Sequence, residues 1–167
     1  MLIPDWLAAQ GIHPGDINAL EIPGSWISGE PKAGDPSCEA VQVGSPPHAG
    51  LLCVQRLGAD NDPRFPDDTR WELWRVEQGR LNRVWQGRQT LDGLSLTLEW
   101  ETPRRFHIGG SPATTCRQIE RRMQRKYSQY HNPIQRVVPS QVRHARDDFC
   151  DQWGAHEWDG HGFKHEP

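Results

Sequence analysis

Leu94-Ser95-Leu96-Thr97-Leu98-Glu99-Trp100-Glu101 is the stretch that decides the fold class. Leu94, Leu96, Leu98 and Trp100 alternate with Ser95, Thr97, Glu99 and Glu101. Successive side chains of a strand point to opposite faces, so this pattern predicts an antiparallel strand with one packed and one wet face. Upstream, Trp71 to Glu77 and Arg80 to Trp85 flank Gln78-Gly79 and read as a hairpin with a tight turn. Asp92-Gly93 supplies a second turn, and Leu51 to Leu57 is a short apolar run before the breaker-rich loop from Asp60 to Asp68. The expectation is an antiparallel meander of about four to five strands over residues 38–102.

The hairpin tryptophans cannot share one side, because Trp71 has the parity of Leu73 and Trp74 that of Val76. If both faces of the sheet are covered, all of them are core. If one is open, Trp74, flanked by Arg75 and Arg83, is an anchor for a partner.

Past Gly109-Gly110 the period becomes helical. Thr115 and Gln118 resemble a capping box, and Cys116, Ile119, Met123, Tyr127 and Tyr130 recur at helical spacing up to Asn132-Pro133. A second helix from Ser140 would place Val142, Ala145, Phe149 and Trp153 on one stripe. The predicted fold is therefore α+β: the β-meander followed by a C-terminal helical pair packed on it. Residues 1–167 read as one domain, divided into an irregular acidic segment (1–50), the meander (51–103), the helical pair (111–153) and a His- and Gly-rich tail (154–167). Within the first segment, Ile3 to Gln10 can form a helical turn or two stopped at Gly11.

Nineteen basic against 22 acidic residues leave a net charge of only −3, and eight tryptophans supply large apolar surfaces, which argues against an acidic disordered chain. No segment approaches the length of an apolar membrane span. The layout of the charge is more informative than its total. Residues 104–146 hold ten basic residues against one acidic, whereas the flanking segments are acidic. Arg117, Arg121 and Arg125 fall on one side of the first predicted helix, away from its apolar stripe. Arginine favours bidentate partners such as carboxylate or phosphate. Two readings follow, a solvated helix face or a surface for an acidic protein partner. Nucleic acid is a weaker third, since no recognised nucleic-acid motif accompanies the charge.

Four cysteines, Cys38, Cys53, Cys116 and Cys150, are widely spaced and include no CxxC pair. An even set of this kind reads as two disulfides. Antiparallel helices would bring Cys116 to Cys150 and leave Cys38 for Cys53, one of three connectivities. Oxidised cysteines imply a secreted or periplasmic protein whose signal peptide is not in this chain, and reduced ones a cytoplasmic protein.

The tail offers His156, Asp159, His161 and His165, nitrogen and oxygen donors suited to a divalent metal such as zinc, copper or nickel if the segment coils. The competing reading is a tail docked by Trp153, Trp158 and Phe163. His131-Asn132-Pro133 with His144 resembles the histidine pair of HNH-class nucleases over a few residues, without the strand-borne Asp-His pair of that pattern. That resemblance implies metal-dependent hydrolysis beside the basic region. GxSxG, Walker, HExxH and GxGxxG patterns are absent. The function expected is thus a protein-binding or inhibitor-like module with no cofactor, using the basic helix face and the Trp-rich strands. The alternative is a metal-dependent hydrolase or nuclease.

Overall fold

The computed structural model of the chain describes residues 3–13, 36–56, 69–89, 95–111, 118, 121 and 151–166. These contain one helix, α1 (Ile3–Ala9), and eight strands: β1 (Ser37–Val43), β2 (His48–Arg56), β3 (Thr69–Glu77), β4 (Arg80–Gln89), β5 (Ser95–Thr102), β6 (Arg105–Ser111), β7 (Gly154–Trp158) and β8 (Phe163–Glu166). The strands form two antiparallel four-stranded sheets, β1-β2-β3-β4 and β5-β6-β7-β8.

In the first sheet the hairpin β3–β4 turns at Gln78-Gly79, with φ of 51° and 71°, both positive as a type I′ turn requires. A bulge follows. Leu73 pairs with Trp85 while Trp74 pairs with Arg83, so the extra residue Val84 turns inward together with Trp85. Parity sends Val43, Leu52, Leu73, Val84 and Trp85 towards the second sheet, where they pack with Phe106, Ile108, Trp158 and Phe163. Trp85 meets Phe106 edge-on, with ring centroids 5.2 Å apart.

The other face of the first sheet carries Leu51, Cys53, Trp74 and Leu81, and α1 covers it through Leu7 and the following Ile12. Gly11, at φ 73°, lets the chain reverse there. Its N–H donates to Ala8 O and that of Ile12 to Leu7 O, each at 3.0 Å. This is a Schellman ending, and its accompanying apolar contact joins Leu7 and Ile12, both buried. Cys38 and Cys53 are register partners on the same face and form a disulfide. Closing a sequence separation of 15 stabilises by about 3 kcal/mol on the chain-entropy account.

The predicted α+β class is corrected by these sheets. The chain is mostly β, with one helix of seven residues among the described residues and no C-terminal helical pair. The apolar face that such a pair was expected to cover is covered by the second sheet. Only β1 to β4 form the meander, whereas β5 joins β6 and the two tail strands. Residues 154–166, expected as a His- and Gly-rich tail, are β7 and β8, and part of the irregular segment 1–50 is α1 and β1. The expected basic helix face is not described as such: Gln118 and Arg121 are helical and exposed, and Arg117 and Arg125 lie outside the described residues. Cys116, Cys150, His131 and His144 also lie outside. Among the described residues no helix is long and apolar enough to cross a membrane.

Candidate functional site

Antiparallel order puts the connections of each sheet alternately at its two ends. The turn after β1 meets the turn after β5, since Gly44 N donates to Pro103 O at 2.6 Å. Short turns β1–β2, β3–β4, β5–β6 and β7–β8 therefore share one end. The connections β2–β3, β4–β5 and β6–β7 start and finish at the other. The last of these carries most of the basic segment. Its C-terminal root, Asp151 to Trp153, leads into β7.

Two tail histidines face each other beside this root. His156 and His165 are register partners on β7 and β8, with ring centroids 5.1 Å apart. The His156 ring stacks on Phe106 at 4.9 Å and meets Trp85 edge-on at 5.6 Å. Its Nε2 donates to Gln152 O at 2.7 Å, and His165 Nε2 donates to Trp153 O at 2.5 Å. Nδ1 of His156 is buried with no hydrogen-bond partner. Burial lowers the pKa of His156 below 6.5, opposed by the bond to Gln152 and reinforced by His165 and His107.

The remaining two tail residues do different work. Asp159 Oδ1 accepts from the N–H groups of His161 (2.8 Å) and Gly162 (2.9 Å), closing the β7–β8 turn. These bonds hold its carboxyl down at about 2. His161 is exposed on that turn. The structure thus divides the expected metal set into a pair tied to backbone carbonyls, a turn cap and a surface ring. Among the described residues no group of three or more His, Cys, Asp or Glu is placed to hold a metal.

The outward face of the second sheet carries a charge network that the sequence reading missed. The Arg105 guanidinium meets Glu101 (2.9 Å), Glu157 (3.2 Å) and Glu166 (2.9 Å) from three strands, and its pKa is raised, most by the bond to Glu157. Arg104 also holds Glu157, and His107 donates to Glu101 at 2.6 Å. Alternation alone would have found it, since Glu99, Glu101, Arg105, His107 and Glu157 share the wet parity of their strands.

No protein-family model, curated protein or solved structure matches the chain. Its function must therefore be read from its own residues. Of the expected partner surface, Arg121 is exposed and Trp74 is not: at 1% exposure it lies in the cluster beneath α1. The bland alternative for the tryptophans, core on both faces, is what the two covered faces produce. Gln152 is a further residue that the sequence reading did not single out, and Arg75, expected beside Trp74 as the flank of an exposed anchor, is buried. Arg75 was legible by parity, since it shares the inward face of Trp71 and Leu73.

The depressed pKa values of His156 and Asp159 make stability depend on pH. Below pH 6.5 an unfolded His156 takes up a proton that the folded one resists, so folding loses stability as pH falls from 6.5 towards the depressed folded pKa. Asp159 adds a second loss as pH falls from 3.8 towards about 2, because its folded carboxyl resists protonation. An NMR titration should show the His156 ring still neutral when the pH has passed below 6.5, and a midpoint at or above that value would contradict its burial.

Proposed function

We propose that this chain is a binding or inhibitor-like module that engages a protein partner with an acidic surface through the basic connection between β6 and β7, Arg117, Arg121 and Arg125 included. The observation that carries the reading is charge segregation. Residues 104–146 hold ten basic side chains against one acidic, in a chain whose net charge is −3. Most of that charge is gathered into the one connection that spans 112–153 between two strands of a packed sandwich. A field of one sign at one place steers an oppositely charged partner and sets its orientation. The Cys38–Cys53 disulfide is compatible with an oxidising compartment, and the reading places the module in the secreted or periplasmic space.

The test is a titration of the full chain with a short poly-glutamate peptide and, separately, with duplex DNA. Reversal of Arg117, Arg121 and Arg125 to Glu should weaken peptide binding roughly ten-fold or more. Binding to duplex that is tight, with a log–log salt slope near −0.9 per phosphate contact, would replace the protein partner by nucleic acid. Binding to neither probe would overturn the proposal.

A further inference from the structure

Three of the four sheet edges are blunted against the addition of a further strand. On β4, Gln152 Oε1 accepts from the N–H of Arg88 at 2.6 Å and its Nε2 donates to Arg88 O at 3.0 Å, so both backbone groups of that edge residue are taken. β4 also carries the bulge at Val84 and the charges of Arg80, Arg83 and Arg88. On β5 a second bulge lies between Trp100 and Thr102, beside Glu99 and Glu101. β8 is only four residues long and holds Lys164 and Glu166. The fourth edge, β1, is different. Its seven residues pair with β2 in unbroken register from Ser37↔Val54 to Val43↔His48, contain no proline and hold Glu39 as their single charge. Among the described residues no strand lies along its outer side. The Cα atoms of Cys38 and its register partner Cys53 are 4.1 Å apart, the closer spacing of a non-hydrogen-bonded pair. The N–H and C=O groups of Cys38, Ala40 and Gln42 therefore point away from β2. Ala40 and Gln42 are exposed, and the small side chain of Ala40 leaves room for another backbone at the centre of the edge.

We propose that β1 is a dimerisation edge: two copies of this chain add β1 to β1 in antiparallel register centred on Ala40, joining their first sheets into one. This surface is separate from the basic connection and does not depend on the binding reading above. A strand that adds to its own copy needs its free backbone groups placed symmetrically about one point, and those of Cys38, Ala40 and Gln42 are. In this register Ala40 exchanges both bonds with Ala40 of the second copy, and Cys38 and Gln42 do the same with Gln42 and Cys38. Glu39 sets the strength. It opposes Val41 of the second copy, so the two Glu39 carboxylates stand diagonally across the interface on one face, where like charges weaken the pairing. A contact of one strand against one strand is small, and the dimer is a weak, reversible one.

Sedimentation equilibrium of the full chain, with its disulfide intact, tests the proposal. The average mass should rise from 19.1 kDa towards twice that value between about 1 μM and about 1 mM. Over the same range, hydrogen exchange of the Cys38, Ala40 and Gln42 amides should slow. Ala40→Pro removes an N–H that points outward and no bond between β1 and β2, so it should keep the urea midpoint and hold the mass at that of one chain. Glu39→Gln should tighten the dimer roughly two- to five-fold by removing the like charges. A mass that stays at one chain throughout, with the three amides exchanging freely, overturns the proposal and leaves the edge to a strand of another protein. Slow exchange at the lowest concentration also overturns it, since the edge would then be paired within one chain. A folded Ala40→Pro chain that still dimerises places the interface elsewhere, and a dimer weakened by Glu39→Gln rejects the register.

Discussion

Replacing Arg75 with methionine should cost about 3 to 5 kcal/mol of folding stability, an unusually large effect for a charged side chain. Arg75 is only 2% exposed although it is a cation. Its Nε donates to Val43 O at 3.0 Å and its Nη2 to Pro46 O at 2.9 Å, while Nη1 pairs with Glu77. The guanidinium carbon lies 4.8 Å from the ring centroid of Trp158, which joins β3 of the first sheet to β7 of the second. Methionine fills much of the volume but pairs with none of these groups. Two acceptors would then be orphaned at about 1 to 3 kcal/mol each, and the contact of cation with ring adds up to about 2. Glu77 contributes less to the loss, since its side chain is 42% exposed and water can solvate it. A buried ion pair can often be exchanged for apolar residues at little cost. Here two of the partners are backbone carbonyls, which no substitution removes. Arg75→Lys should recover only part of the loss, because an ammonium cannot reach three divergent acceptors as the planar fork does. Urea unfolding with a constant slope measures both variants, and a loss below about 1 kcal/mol for Arg75→Met would show that the guanidinium does not hold the turn.

Arg75 also illustrates which parts of the fold were legible in the sequence. Strand alternation is a local signal, and it located β3, the turn at Gln78-Gly79, β4 and the strand that became β5. The pairing of Cys38 with Cys53 followed from elimination and is present. Alternation does not say what covers an apolar face. For residues 111–153 the helical spacing of a few apolar side chains predicts a helical cover, but the second sheet fills that place. The two tail strands carry no clear alternation, for a physical reason. His156 occupies an inward position between the parities of Gly154 and Trp158, and an imidazole there breaks the apolar pattern that marks a buried strand. With three glycines nearby, the segment read as a hinged ligand tail.

The candidate site was legible in its charge and not in its geometry. Counting showed the basic segment, because net charge needs no fold. Nearness in sequence groups the histidines, yet a strand pair places partners by register, so His156 meets His165 while Asp159 and His161 go to the turn. Gln152 had no signal at all: a lone glutamine acquires its role only when the edge of β4, distant in sequence, comes beside it.

Trp74→Ala should cost about 3 to 5 kcal/mol and act on folding before it acts on any partner. Read from sequence as exposed, Trp74 would be an anchor whose removal changes affinity and leaves stability nearly intact. In the structure it is 1% exposed and belongs to the cluster of Leu7, Ile12, Leu51, Cys53 and Leu81. Its register partner on β2 is Leu51, also fully buried. Removing the indole would leave a void between α1 and the first sheet that the disulfide-linked pair β1–β2 cannot collapse to fill. The helix is too short to persist alone, since seven residues are fewer than an isolated helix needs in water. Its order depends on this contact, and Leu7→Ala should therefore destabilise by the same route. Combined with Trp74→Ala, it should add less than its own separate cost, because the second truncation acts on a helix already released. A double-mutant cycle in urea reads that coupling directly. Strict additivity, or an unmoved midpoint for Trp74→Ala, would mean that α1 does not cover this face and would return Trp74 to the surface as a partner's anchor.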